Sequence, residues 1–412
     1  MRVTLFCSNF PPDMGGGATR ALNMVECLCR HGYDLQMVTS VPHYPLGLPK
    51  LDAFHISEEK KEGLLIIRLP TSGLLLRSFL GRLINYCWYA LFCLISIGKI
   101  PYSDVVICLG PHPFTDFPAF LFKKVKGARL IVDISDLWPE AISFKSSLGN
   151  SLIQGIGYSL NKLILSFFSD GICVVSERVL DFITYRYNYE KPATVVYNIT
   201  NIDMFVYDQE AKKEKKSLKS LVPELAENKF VVLYHGVLGS VQKIENIVKA
   251  AKLAQTIHQI LFVIVGEGEK KEIAKRLAED EDLNNIVFLP MINRKLICKI
   301  VAESDLGLLP IVSNPLHIYF LTTVKAAEFL ASGTPILAPV GSYIGELVSS
   351  AGAGFEIDFA DPSQIYQSVK WVLNHPVLFD QMKERARKIA VERFSQNHFS
   401  EVLCSFVEAI DR

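Results

Sequence analysis

Three stretches of the chain put glycines, a lysine or a lone acid where strands end and helices begin. The first is Pro11-Pro12-Asp13-Met14-Gly15-Gly16-Gly17-Ala18-Thr19-Arg20, between an apolar run and a helical pattern. Glycines there let backbone N–H groups approach a phosphate, and a helix N-terminus adds favourable partial charge. The spacing is neither that of a Walker loop nor that of a dinucleotide-binding turn, so a merely tight turn is the other reading. The second stretch is Tyr234-His235-Gly236-Val237-Leu238-Gly239-Ser240-Val241-Gln242-Lys243. A lysine at the end of a Gly-rich loop can neutralise a diphosphate; a plain surface lysine is the alternative.

The third stretch runs from Thr323 through Lys325 and Glu328 to Gly333-Thr334-Pro335-Ile336-Leu337-Ala338. It places one acid on an otherwise apolar helical segment. A lone glutamate among Ala, Phe and Leu must be solvated by something specific, and the two hydroxyls of a ribose would do so. Val263-Ile264-Val265-Gly266-Glu267-Gly268 adds a further strand-to-glycine turn.

The elements that must hold these stretches alternate. Val3–Cys7, Leu35–Thr39, Leu64–Leu69, Val105–Leu109, Leu130–Ile134 and Gly171–Ser176 read as short buried strands, with helical spacing between them, as from Thr19 to Arg30. Thr194–Tyr197 ends this series. A second begins at Phe230–Gly236 and continues through Leu261–Gly266, Ile286–Leu289, Leu306–Pro310, Pro335–Pro339 and Gly354–Ile357. Such a βα rhythm predicts parallel sheets covered by helices. The fold class expected is α/β, with two doubly wound halves facing across a cleft. The expected division is residues 1–200, an interdomain linker over 201–229, residues 230–390, and a C-terminal helix over 391–412 packed outside the domains. The Lys/Glu-rich stretch from Asp208 to Lys219 reads as a solvated polar face.

Composition narrows the class. With 43 basic and 43 acidic residues the chain has no formal net charge, which argues against a nucleic-acid binder. Hydrophobic residues make up 50% of the chain, which excludes disorder for its bulk. The nine cysteines are scattered, with no Cys-x-x-Cys and no His-Glu-x-x-His. A reducing, cytoplasmic setting fits them, and neither a metal nor a cofactor is expected. Leu74 to Ile100 stands apart. Its densest part, Leu83–Gly98, is about 16 residues long, against the roughly 20 that a membrane span needs. It reads either as a buried domain helix or as a helix presenting aromatic and aliphatic side chains to a bilayer, with Arg77 and Arg82 at the headgroups.

Taken together, the motifs resemble the family-4 retaining glycosyltransferases of the GT-B fold, along nearly the whole chain. Glu328-Phe329-Leu330-Ala331-Ser332-Gly333-Thr334-Pro335 is the most specific part, supported by Val265-Gly266-Glu267-Gly268 and by Asn198–Phe205. Val132-Asp133-Ile134-Ser135-Asp136-Leu137-Trp138-Pro139-Glu140 is similar to the surface-polysaccharide subgroup, including the N-acetyl-L-fucosamine transferases. The resemblance implies two Rossmann-like domains. It also implies a nucleotide-sugar donor, a UDP-N-acetylated sugar, and a polyprenyl-diphosphate-linked saccharide acceptor met at the inner membrane surface.

The resemblance also implies roles. Asp136, Lys243 and Glu328 are the catalytic candidates. Gly16, Gly17, Arg20, Gly236, Gly266, Met291, Lys325 and Glu328 are the donor-binding candidates. Gly16 and Gly17 match positions whose backbone meets the diphosphate, Lys243 matches the phosphate-binding lysine, and Glu328 matches the ribose-binding glutamate. The chain departs from the family pattern at three places. Phe320 stands where a first acid is usual, Val237 where an arginine often follows the glycine, and Asp136 where many relatives carry histidine. Lys325, one helical turn before Glu328, is expected to supply positive charge. Two other readings share parts of this pattern: a GT-B UDP-N-acetylhexosamine epimerase, and a non-catalytic scaffold subunit.

Overall fold

The computed structural model describes residues 1–13, 15–43, 56–61, 63–71, 79–110, 113–137, 147–223, 229–312 and 315–412. Two compact units emerge, Met1–Tyr197 with Phe399–Arg412, and Asn198–His398. The first holds β1 (Arg2–Cys7), α1 (Gly16–Arg30), β2 (Asp34–Ser40), β3 (Ser57–Lys61), β4 (Leu64–Leu69), α2 (Phe79–Ser96), β5 (Val105–Leu109), α3 (Pro113–Lys126) and β6 (Arg129–Ile134). It continues with α4 (Ser147–Leu163), a π-helical turn at Ile164–Phe168, β7 (Gly171–Val174), α5 (Glu177–Tyr187) and β8 (Ala193–Val195). Its eight strands lie in the order β3-β4-β2-β1-β5-β6-β7-β8. All pairings are parallel except that of β3 with β4. Strands buried on both faces need continuous apolar runs, and β5 is buried at every position.

The second unit opens with α6 (Gln209–Glu214) and α7 (Lys216–Leu221). Its strands are β9 (Phe230–His235), β10 (Ile260–Val265), β11 (Ile286–Leu289), β12 (Leu306–Leu308), β13 (Ile336–Pro339) and β14 (Gly354–Ile357). They form a parallel sheet in the order β11-β10-β9-β12-β13-β14. Between and after them run α8 (Ile244–Leu253), α9 (Lys271–Asp280), α10 (Arg294–Glu303), α11 (Pro315–Tyr319), α12 (Val324–Ala331), α13 (Tyr343–Ser350), α14 (Pro362–Asn374) and α15 (Pro376–Arg393). Apolar faces of α8, α9 and α14 close over the sheet around Phe262, Ile264 and Tyr234. Each unit is Rossmann-like, as the βα rhythm predicts.

The division differs from the expected one in two places. Within the stretch expected as linker, Gln209–Glu214 and Lys216–Leu221 fold as α6 and α7 in the second unit. Lys212 and Lys215 there are buried rather than solvated. The Lys212 Nζ donates to the Ser304 carbonyl and Thr334 Oγ1, each at 2.7 Å. Lys215 donates to the Glu303 carbonyl and pairs with Asp305 at 2.7 Å. Burial draws the Lys212 pKa down to about 7. Long apolar stems let both lysines reach these acceptors, so a Lys-rich run here packs inward. The last helix, α16 (Gln396–Asp411), is the second difference. It buries Phe399, Leu403, Cys404, Val407 and Ile410 and belongs to the first unit rather than packing outside it.

Helix α2 settles into a two-sided arrangement. Tyr89 and Cys93 are fully buried, and the Tyr89 hydroxyl donates to the Val38 carbonyl at 2.9 Å. Cys87, Leu91 and Ile95, spaced four residues apart on one face, are exposed, Leu91 by 49% and Ile95 by 62%. Among the described residues no helix is long and apolar enough to cross a membrane. Residues 74–78, with Arg77, lie outside the described residues, as do Met14 and Trp138, Pro139 and Glu140.

Candidate active site

In each sheet the strand order reverses beside the first strand of the unit, between β1 and β5 and between β9 and β12. Loops leaving the carboxyl ends of such neighbours diverge and leave a crevice for a ligand. Gly16, Gly17, Asp136, Gly236, Lys243, Gly266 and Met291 lie on the stretches that follow β1, β6, β9, β10 and β11, whereas Arg20 sits inside α1, and Lys325 and Glu328 on α12.

In the second unit the loop after β9 is locked to the loop after β10. The Gly236 N–H donates to the Val265 carbonyl at 2.9 Å, and the Leu238 N–H to the Glu267 carbonyl at 2.9 Å. Gly266 has φ +148°, and a Cβ there would lie 1.9 Å from the Gly236 carbonyl oxygen. Gly236 has φ +132°, and a Cβ there would lie 2.3 Å from Cε of Lys325. Both backbones adopt a conformation that favours glycine. The two glycines therefore bring two loops and a lysine stem together, a packing role beyond the donor contact expected of them. Met291, 54% exposed, follows β11, and its backbone N–H reaches the Glu267 carboxylate.

Glu328 is 2% exposed. Thr323 caps its short helix, its hydroxyl accepting from the Ala326 N–H at 3.1 Å. The Arg294 guanidinium donates to Glu328 Oε1, and His235 Nε2 stands 3.4 Å from Oε2 without forming a hydrogen bond. Burial pushes the Glu328 pKa up, while Arg294 and Lys325 pull it back. Burial lowers the Lys325 pKa, and Glu328 opposes this. The His235 pKa falls to about 3, first from burial and then from Lys325 and Arg294, so its imidazole is neutral near pH 7. Arg294 is itself held over the Phe205 ring at 4.7 Å, with its side chain 48% exposed. The protein thus supplies part of the solvation that a lone buried acid needs, and leaves Oε2 the less satisfied oxygen.

Lys243 is the residue before α8. Its N–H donates to the Pro310 carbonyl at 2.9 Å, which pins the loop to the end of β12. Its side chain is half-buried. Among the described residues its Nζ has no ion-pair or hydrogen-bond partner. Phe320, at the position of the usual first acid, is half-buried with its ring edge-on to Tyr319 at 4.9 Å.

In the first unit Gly16 and Gly17 are the first residues of α1 and are exposed. A Cβ at either would meet no atom within 4 Å. Internal packing therefore does not demand glycine there; what the pair leaves is bare backbone at a helix start. Arg20, a donor-binding candidate, turns inward. It is 3% exposed and grips Asp133 at the end of β6 through two bonds, Nε to Oδ2 at 2.7 Å and Nη2 to Oδ1 at 2.6 Å. It also donates to the Tyr197 carbonyl at 3.3 Å. With its fork turned to Asp133 and Tyr197 below the surface, Arg20 braces α1. Asp136 is exposed in the bend after β6 and lines a crevice of about 30 Å³ with Asp116, Gly110 and Asn161. Burial raises the Asp116 pKa to about 7, although the Cys108 thiol donates to it at 2.8 Å.

Sequence reasoning missed Arg294 and Asp116, and quoted Asp133 and His235 without a role. Arg294 is 34 residues from Glu328 and Arg20 is 113 from Asp133, and no local spacing announces either pair. Residues 216–389 match the family described as glycosyl transferases group 1. WcaI of Escherichia coli K12, a protein assigned to colanic acid biosynthesis as a glycosyl transferase, is 24% identical over 71% of this chain and 72% of its own. Sucrose-phosphate synthase of Thermosynechococcus elongatus superposes over 100% of this chain and 99% of its own, with a TM-score of 0.78 and 15% identity. Anabaena HepE, solved with UDP, does so over 99% and 100%, with a TM-score of 0.71 and 14% identity. The chain shares the GT-B fold of these structures.

Proposed function

We propose that this glycosyltransferase, with its group 1 domain in the second unit, moves a sugar from a UDP-sugar to a polyprenyl-diphosphate-linked saccharide during surface-polysaccharide synthesis, retaining anomeric configuration. The donor sugar is N-acetylated, as in the N-acetyl-L-fucosamine transferases that the sequence Val132–Glu140 resembles. The observation that carries the reading is Glu328, buried and oriented by Arg294 beside the switch-point loop of β9. The polysaccharide assignment of WcaI and the UDP bound by HepE agree with it.

In this reading Glu328 Oε2 accepts from the ribose hydroxyls. Lys243 and Lys325 face the diphosphate, and in the first unit the open amides of Gly16 and Gly17 suit a phosphate. The bond from the anomeric carbon to the phosphate oxygen breaks, and the acceptor oxygen bonds to that carbon on the same face. The departing phosphate takes the acceptor proton. Asp136 is the first unit's candidate for acting on the reacting sugar.

Replacing Glu328 by alanine removes charge-assisted hydrogen bonds worth about 1.5–3 kcal/mol, so UDP affinity is expected to fall about 10–150-fold. Calorimetry on a folded variant checks this, and unchanged affinity refutes the ribose role. A donor panel offered with membrane extract, read by mass spectrometry of the glycolipid, tests donor and acceptor together.

The acceptor keeps its diphosphate at the headgroup plane, so the first unit must sit at the inner membrane face. The exposed apolar face of α2 suits that contact, each buried side chain adding about 1.5–3 kcal/mol. Liposome co-sedimentation is expected to weaken at least about tenfold in Leu91→Glu/Ile95→Glu, with UDP affinity unchanged. Sedimentation equal to that of the wild type rules this face out. Both positions are exposed, so the core of the helix is left intact.

A further inference from the structure

In the first unit, α1 and α16 bring two thiols and an imidazole together. Cys27 and His31 are four residues apart and share one face of α1 and its C-terminal cap. Cys404 meets them from α16. The sulfurs of Cys27 and Cys404 are 3.9 Å apart. With a ring nitrogen of His31 they form a triangle whose corners all lie within 4.8 Å of one another. Both cysteines are buried and His31 is exposed.

The separation has a chemical meaning. A tetrahedral cation with metal–sulfur bonds of about 2.3 Å holds two thiolates about 3.8 Å apart. A disulfide needs the sulfurs at about 2.05 Å and leaves the imidazole no part to play. The His31 Nδ1 lies 3.1 Å from the Cys27 carbonyl. A carbonyl only accepts, so Nδ1 carries the proton and Nε2 keeps its lone pair for a cation. One turn beyond Cys404, Glu408 accepts from the Tyr33 hydroxyl at 3.1 Å, bordering the triangle with a carboxylate.

We infer that Cys27, His31 and Cys404 form a site for a thiophilic divalent cation of the zinc type, which ties the last helix of the chain to α1. Two soft thiolates and an imidazole are the donor set that such ions select. The ion closes its coordination with water on the exposed side, where His31 stands. Its role is structural: it clamps α16 against the helix whose first residues are Gly16 and Gly17. The site is separate from the nucleotide-binding residues proposed above and does not depend on them.

The test uses the full chain, reduced, stripped with chelator and titrated with Zn²⁺ and with Co²⁺. The expected result is one equivalent bound, with the thiolate-to-cobalt charge-transfer absorption of a two-cysteine site. Cys404→Ser should weaken binding at least about 100-fold and His31→Ala at least about 10-fold, while Cys87→Ser leaves it unchanged. His31 is exposed, so its variant keeps the test informative if Cys404→Ser fails to fold. Zn²⁺ should also slow hydrogen exchange in α16. Binding unaltered by His31→Ala, no thiolate band, or a Cys27–Cys404 disulfide in protein handled without reductant would overturn the proposal. UDP affinity, measured in parallel, is expected to be the same in all three variants.

Discussion

Replacing Asp133 by alanine is expected to destabilise the first unit by about 3–5 kcal/mol. Arg20 and Asp133 are both almost wholly buried, and two parallel bonds join them. Removing the carboxylate strips a guanidinium below the surface of its counter-charge, while the Tyr197 carbonyl still accepts from it at 3.3 Å. A buried charge without its counter-charge bears the full cost of desolvation. Replacing both partners with apolar residues of similar volume, Arg20→Met with Asp133→Leu, should recover most of the loss, because no charge is then stranded. Hydrogen exchange in β1, β5 and β6 is the measurement of choice, since it reports this unit by itself in a two-unit chain. A loss below about 1 kcal/mol would mean that water reaches the guanidinium. The pair also bears on function: Arg20 lies one turn inside α1, so it sets where the amides of Gly16 and Gly17 point.

This pair shows where sequence reasoning stops. The parallel strands were legible because burial on both faces demands unbroken apolar runs, as in Val105–Leu109 and Ile260–Val265. β3 was not, because Ser57–Lys61 is polar and joins the sheet as an antiparallel edge strand. The glycines of the second unit were legible as a turn, but not their reason. That Gly266 must clear the carbonyl of Gly236 depends on two loops 30 residues apart meeting backbone to backbone. Charged residues misled most. Arg20 stood in a Gly-rich loop and Lys212 in a run of lysines, and both turned inward to partners far along the chain. The lone acid at Glu328 was legible, since an apolar helix cannot bury a carboxylate without a partner; the partner itself, Arg294, was not. Residues 391–412 read as an outer helix because their polar positions suit a surface, yet the opposite face fills the core of the first unit.

Replacing Lys243 by alanine is expected to cut kcat about 10²–10³-fold while changing affinity for the UDP-sugar less than about tenfold. Negative charge on the diphosphate grows as the glycosidic bond breaks, so a fixed cation beside it favours the transition state over the ground state. The structure supports that use of Lys243. Its backbone is pinned to the Pro310 carbonyl at 2.9 Å, and Gln242 before it bridges to Ile311, so the root of the side chain does not drift. No protein group among the described residues occupies its Nζ. Lys325, by contrast, runs its stem against Gly236 and holds its Nζ 5.9 Å from the Tyr234 ring centre, with Glu328 one turn away. Of the two lysines, Lys243 is the one whose charge is not already committed to a neighbour. Steady-state kinetics separate the possibilities. Equal losses in ground-state binding and in kcat/KM would mark Lys243 as a uniform binder, and a large kcat loss in Lys325→Ala with little in Lys243→Ala would transfer the role to Lys325. Lys243→Arg should recover part of kcat, because it restores the charge on a bulkier, differently shaped head.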